Sequence, residues 1–269
     1  MSVNVGDDGR RSVQVEAEVP GSPEEVWQAI ATGPGISSWF VPTHVEERVG
    51  GAVTADFGPG MESVSTISEW DPPRRFMAEG NGISPGAPPM ATEWIVESKS
   101  SGTCVVRVVH SWFANSDEWD GQFESVEQGW NAFFNILRLK LQHFPGQPSA
   151  AFETAGMGSG SESEVWSALT TPLGLFDAAV GQEVRSPVSA PTLAGRVEIA
   201  PAGGGKENHV ILLTSEPRAG VCHLLAIPMG EQVYLAIRFF LFGDGAAAAV
   251  AKDEAEWKHW FGGLFPMGG

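Results

Sequence analysis

Residues Ser125 to Phe144, SVEQGWNAFFNILRLKLQHF, carry Val126, Trp130, Phe133, Phe134, Leu137, Leu141 and Phe144 at gaps of three or four, with one adjacent pair. At about 100° per residue these seven side chains fall within an arc of about 100°, the stripe of an amphipathic helix laid on a core. Glu124 and Glu127 near its start, and Arg138, Lys140 and His143 near its end, complement the helix dipole. Pro145-Gly146 stops it. So aromatic a face needs a concave apolar surface to receive it.

The chain ahead of this helix supplies one. Val13 to Val19, VQVEAEV, alternates as a half-buried strand does. Ser22-Pro23-Glu24-Glu25 then opens a short helix carrying Val26, Trp27 and Ile30, with Ser at the N-cap and Glu three residues on. Gly33-Pro34-Gly35 is expected to end it, and a second turn from Ile36 to Phe40 presents Trp39 and Phe40. Strands are predicted at 43–49, 52–57, 63–70, 75–79, 92–97 and 103–113, separated by Gly50-Gly51, Gly58-Pro59-Gly60, Asp71-Pro72-Pro73 and Ser100-Ser101-Gly102. Short connections of this kind imply antiparallel pairing. In the last strand Arg107 faces solvent, which sends Val106, Val108, His110 and Trp112 inward. Gly80 to Pro89 reads as a loop able to overhang a pocket mouth.

A second copy follows. Ser161 to Pro172, SESEVWSALTTP, repeats Ser22 to Pro34 down to the Glu-Val-Trp core and the Ser/Glu capping pair. Strands are expected at 183–186, 195–199, 209–214, 221–227 and 232–242, then a helix from about Ala246 with Val250, Trp257, Phe261 and Leu264 on one face. Ser149 to Gly160, SAAFETAGMGSG, is small and Gly/Ser-rich, so it reads as a linker or a degenerate first strand. The expected division is a domain at 12–147, a linker at 148–160, and a shorter, diverged domain at 161–269.

The ordered set SPEEVW, WF, Gly50-Gly51, ISEWDPPRRF, TEWIVE, GTCVVRVVHSWF and EQGWNAFFNIL resembles the START-like, or SRPBCC, superfamily. Within it the set is similar to the homologues of the heat-shock chaperone ATPase activator. The resemblance implies an α+β fold of tandem helix-grip domains, each a curved antiparallel sheet wrapped on a long C-terminal helix. Across the superfamily the space between sheet and helix serves lipid and hormone binding, polyketide cyclisation or chaperone contact, so fold alone does not select a function.

Charge narrows the partners. The formal net charge is −17, with −11 on residues 1–149 and −6 on the rest, and no basic stripe appears in either half. Nucleic acid and anionic membrane surfaces are therefore not expected partners. No apolar run reaches the roughly 20 residues of a membrane span, and MSVNVGDDGRRS lacks the apolar stretch of a signal peptide. Cys104 and Cys222 read as buried reduced thiols. A cytoplasmic protein is expected.

Chemistry is sparse. No nucleophile elbow, H-E-x-x-H or C-x-x-C is present, the six histidines lack metal-ligand spacing, and Gly203-Gly204-Gly205-Lys206 lacks the first glycine and the Ser/Thr of a phosphate loop. No metal, cofactor or catalytic residue is assigned. Glu69, Asp71, Arg74 and Arg75 read as a charged turn, and Asp117, Glu118, Asp120 and Glu124 as a solvated patch. His110 reads as a core histidine bonded to a polar neighbour, or as an acid/base or ligand-orienting group. Trp94, Trp112, Trp130, Phe133 and Phe134 read as a bulky core, or with Val108, His110 and Leu137 as the lining of a ligand pocket. The leading expectation is non-catalytic binding of a hydrophobic or aromatic small molecule between sheet and long helix. The alternatives are a polyketide cyclase-like acid/base enzyme with His110 as base, and a module that docks a chaperone or other protein partner.

Overall fold

The computed structural model describes residues 4–6, 9–58, 61–81, 88–99, 102–113, 120–200 and 208–265, with the backbone alone at 113 and 120–128. The chain divides into two compact units, Met1–Gly146 and Gln147–Gly269.

In the first unit the order is β1 (Asn4–Val5), β2 (Arg10–Pro20), α1 (Pro23–Ala31), α2 (Gly33–Ser37), β3 (Thr43–Val45), β4 (Ala52–Asp56), β5 (Glu62–Asp71), β6 (Arg75–Gly80), β7 (Met90–Ser98), β8 (Thr103–Phe113) and α3 (Asp120–His143). The strands form one antiparallel sheet in the order β1-β2-β8-β7-β6-β5-β4-β3. The first long strand therefore lies beside the last, as a sheet that curls around a helix requires. Val13, Val15 and Val19 of β2 and Val106, Val108, His110 and Trp112 of β8 are all buried. Arg107 takes the outer face, 3.0 Å from carboxylates of both Glu16 and Glu97. Along α3, Trp130, Phe134, Leu137 and Leu141 are buried, as the stripe predicts.

The helix pair near the N-terminus follows its capping chemistry. Ser22 Oγ accepts from the Glu25 amide, and the Glu25 carboxylate accepts from the Ser22 amide. Gly33-Pro34-Gly35 does not end a helix but opens α2, because Thr32 Oγ1 accepts from the Gly35 amide and Pro34 sits in the first turn. Trp39 is thereby fully buried, its indole N–H donating to the Ala29 carbonyl at 2.9 Å.

The second unit runs β9 (Ser149–Ser159), α4 (Glu162–Thr170), a 3₁₀ turn (Thr171–Leu173), β10 (Glu183–Arg185), β11 (Ala194–Ile199), β12 (Asn208–Glu216), β13 (Gly220–Met229), β14 (Gln232–Phe242) and α5 (Ala246–Leu264). Its antiparallel sheet has the order β10-β11-β12-β13-β14-β9, again with first strand beside last. Ser161 and Glu164 form the same capping box as Ser22 and Glu25. Both units are thus α+β helix-grip folds.

Of the two readings of Ser149 to Gly160, linker or degenerate first strand, this sheet has the strand, so the linker expected at 148–160 is corrected. Residues 149–159 are a strand paired with β14 from Ser149↔Phe242 to Ser159↔Gln232. Its small residues mark close packing, not flexibility. A Cβ on Gly156 would lie 3.0 Å from the Phe261 ring, and one on Gly158 only 2.4 Å from Val165 Cγ1. The helices α4 and α5 can settle onto this strand because it has no side chains there. Phe152 stacks on Phe239 at 4.7 Å, and Phe239 meets Trp257 at 4.8 Å, within the hydrophobic core of this unit. No described helix is long and apolar enough to cross a membrane.

Gly158→Ala is expected to cost about 1–3 kcal/mol by overpacking against Val165. Thermal denaturation of Gly158→Ala, Val165→Ala and the double variant checks this: the double variant should lose less than the two single losses added together.

Candidate functional site

Small side chains on one side of the first sheet face large ones on the other. Val53 and Ala55 of β4, Ser63 and Ser65 of β5 and Ala78 of β6 offer short side chains to a space that Trp94 of β7 and Trp130 and Phe133 of α3 border with large ones. The mismatch leaves a cavity of about 240 Å³, closed further by Ile36, Phe40, Thr43, Phe57, Phe76, Met90, Thr92, His110 and Gly129. Its aromatic members hold one another in place. Phe40 stacks on Trp130 at 5.0 Å and meets Phe133 edge-on at 4.5 Å, while Trp94 meets Trp130 edge-on at 5.2 Å.

Of the eight residues singled out from the sequence, Trp94, His110, Trp130 and Phe133 line this cavity. Val108, Trp112, Phe134 and Leu137 do not; they are at most 3% exposed and belong to the packed layer beneath. Phe134 lies against Trp39, Trp94 and Trp130, with ring centroids 5.8–6.4 Å apart. Helical periodicity places Phe133 and Phe134 on one stripe but cannot divide that stripe between cavity and core. Of the residues missed, Phe40 and Phe57 sit in connections, where no periodicity fixes which way a side chain faces, and Thr92 sits in β7. Only the alternation of Thr92 with Trp94 signalled an inward position.

His110 is held at both ring nitrogens. Trp130 Nε1 donates to His110 Nε2 at 2.7 Å, and His110 Nδ1 lies 3.0 Å from Thr92 Oγ1 across the β7–β8 register pair. An indole nitrogen can only donate, so Nε2 must carry the lone pair and Nδ1 the proton. Burial lowers the pKa of this imidazole from 6.5 to about 4, which keeps it neutral near neutral pH. Taking up a proton at Nε2 would break the bond to Trp130 and leave two donors facing each other. The sequence expectation of a core histidine bonded to a polar neighbour describes this arrangement.

The remaining candidates are not gathered here. Arg74 pairs with Asp71 at 3.0 Å and Arg75 with Glu69 at 2.7 Å on the exposed turn after β5. Cys104 and Cys222 are buried free thiols. Among the described residues no three His, Cys, Asp or Glu side chains could share a metal ion. Gly203 to Lys206, most of the Gly80–Pro89 loop, and the side chains of Asp117, Glu118, Asp120 and Glu124 lie outside the described residues.

Two measurements follow from this geometry. Phe134→Ala should cost about 3–5 kcal/mol, as a packed core aromatic does, and so reports on stability, not on the cavity. His110 raises a pH dependence. Its folded pKa of about 4 lies below the unfolded value of about 6.5, so the unfolded chain binds an extra proton between these limits. Stability therefore falls as pH drops through that window, by up to about 3 kcal/mol from this group. His110→Gln keeps an acceptor for Trp130 and a donor for Thr92 but cannot titrate. Chemical denaturation at pH 7 and pH 4.5 should show a smaller acid loss in His110→Gln than in the parent. His223 of the second unit, also driven down by burial, contributes equally to both proteins and cancels.

Residues 20–141 match the family described as "Activator of Hsp90 ATPase homolog 1-like protein". No curated protein sequence matches the chain. Among solved structures it is similar to the di-domain ARO/CYC BexL from the BE-7585A biosynthetic pathway, at 15% identity and a TM-score of 0.45 over 94% of this chain and 97% of that one. DynU16, a putative protein in the dynemicin biosynthetic locus, gives 15% identity and a TM-score of 0.42 over 94% and 96%. The Aha1 dimer from Colwellia psychrerythraea gives 20% identity and a TM-score of 0.41 over 49% and 96%. With the family match running from the end of β2 through β8 and most of α3, the first unit of this chain has a START-like helix-grip fold related to that of the Hsp90 ATPase activator homologues.

Proposed function

We propose that the first unit binds an apolar, planar small molecule of about two or three fused rings in the cavity between its sheet and α3, without catalysing a reaction on it. The observation that carries this reading is the cavity itself: Phe40, Trp94, Trp130 and Phe133 surround open space instead of filling it. A domain used only for its outer surface gains nothing from leaving that space unfilled, since apolar voids cost stability. Planar π faces suit a planar guest. Binding without acid/base chemistry is favoured by the state of His110, whose lone pair is engaged by Trp130 and whose proton is engaged by Thr92. The net charge of −17 favours a neutral guest over a nucleic acid or an anionic lipid surface. Two buried free thiols fit a cytoplasmic setting.

Gly129 offers a clean test. It lines the cavity from α3, and a Cβ built there meets nothing within 4 Å. Gly129→Leu should plug the cavity while improving helix propensity by about 0.5–1 kcal/mol. The neutral dye N-phenyl-1-naphthylamine is expected to bind the parent chain at one saturable site. Gly129→Leu should weaken that binding at least about tenfold with no fall in melting temperature. Dye binding that survives Gly129→Leu unchanged would move the site elsewhere.

A further inference from the structure

We infer that the Thr92 hydroxyl is a directed hydrogen-bond donor inside the cavity, and that the guest carries a carbonyl or equivalent acceptor oxygen to meet it. This rests on the binding reading above and specifies the chemistry of the guest. The direction is set by a chain of three groups. Trp130 Nε1–H can only donate, so His110 Nε2 accepts; His110 Nδ1 then carries the ring proton and donates to Thr92 Oγ1. With one lone pair of Thr92 Oγ1 so occupied, its own hydrogen is left to donate outward. Thr92 lines the cavity, and among the described residues its hydroxyl has no other hydrogen-bond partner. The hydroxyl of Thr43, by contrast, already donates to the Val41 carbonyl at 2.9 Å.

The neutral histidine matters to this polarity. A charged imidazole could not accept from Trp130, and the reversed tautomer would set two donors against each other. An apolar guest with no acceptor would strand the Thr92 donor away from water, which carries a penalty that an acceptor-bearing guest avoids. The cavity therefore discriminates among planar molecules of equal size by one oxygen.

Fluorene and 9-fluorenone form a matched pair of planar three-ring probes that differ in one carbonyl. Their affinities for the full chain are measured by displacement of N-phenyl-1-naphthylamine. Fluorene is the more water-averse, so partition alone would favour it; the inference expects fluorenone to bind more tightly, by about fivefold. Thr92→Val should abolish that preference, weakening fluorenone and, with no donor left to strand, tightening fluorene, and Thr92→Ser should keep it. Infrared spectra of fluorenone bound to the parent chain give a readout that needs no variant: the carbonyl stretch should fall below its position in a hydrocarbon solvent. Equal binding of both probes, an unshifted stretch, or a preference that persists in Thr92→Val and so belongs to Ser63 or Ser65, would overturn the donor assignment and leave the binding reading standing. Displacement by neither probe, with no dye bound, would overturn both.

Discussion

The bond from Trp130 to His110 joins the long helix to the middle of the first sheet, and much else follows from it. It fixes how closely α3 can approach, since the indole and the imidazole must meet edge to edge at 2.7 Å. It settles the tautomer of His110 and so the sense of the contact with Thr92. With the helix held at that height, strands whose inward residues are alanine, serine and valine cannot fill the space beneath it, and a cavity results. The aromatic layer of Phe40, Trp94 and Phe133 then stiffens the walls through ring contacts of 4.5–5.2 Å.

The second unit shows what the same fold does without that prop. Its first strand carries Gly156 and Gly158 where side chains would stand, and Val165 and Phe261 come down onto the bare backbone. Phe152, Phe239 and Trp257 take up the interior.

Much of the fold was legible because capping chemistry and periodicity are local. The capping boxes at Ser22 and Ser161, the alternation of β2 and β8, and the stripe of α3 all appear where their residue patterns place them. Composition misled at β9, where glycine and serine resemble a linker but answer to contacts with residues far along the chain. Gly33-Pro34-Gly35 misled for a local reason, since Thr32 can cap a new helix at the spot where proline and glycine normally end one. The site was half legible. Trp94, His110, Trp130 and Phe133 could be placed by alternation or helical spacing, but which of Phe133 and Phe134 meets open space depends on how far the sheet curls. The polarity of the Thr92–His110–Trp130 chain needed three elements brought together.

The central claim is that the aromatic cavity of the first unit receives a planar apolar guest. The most direct measurement is the set of tryptophan indole ¹H–¹⁵N resonances of the full chain, titrated with naphthalene. The account predicts that the Trp94 and Trp130 signals move together along one saturable 1:1 curve, while those of Trp166 and Trp257, buried in the core of the second unit, stay in place. Signals of Trp94 and Trp130 that do not respond, or a drift shared by all the indoles without saturation, would contradict it.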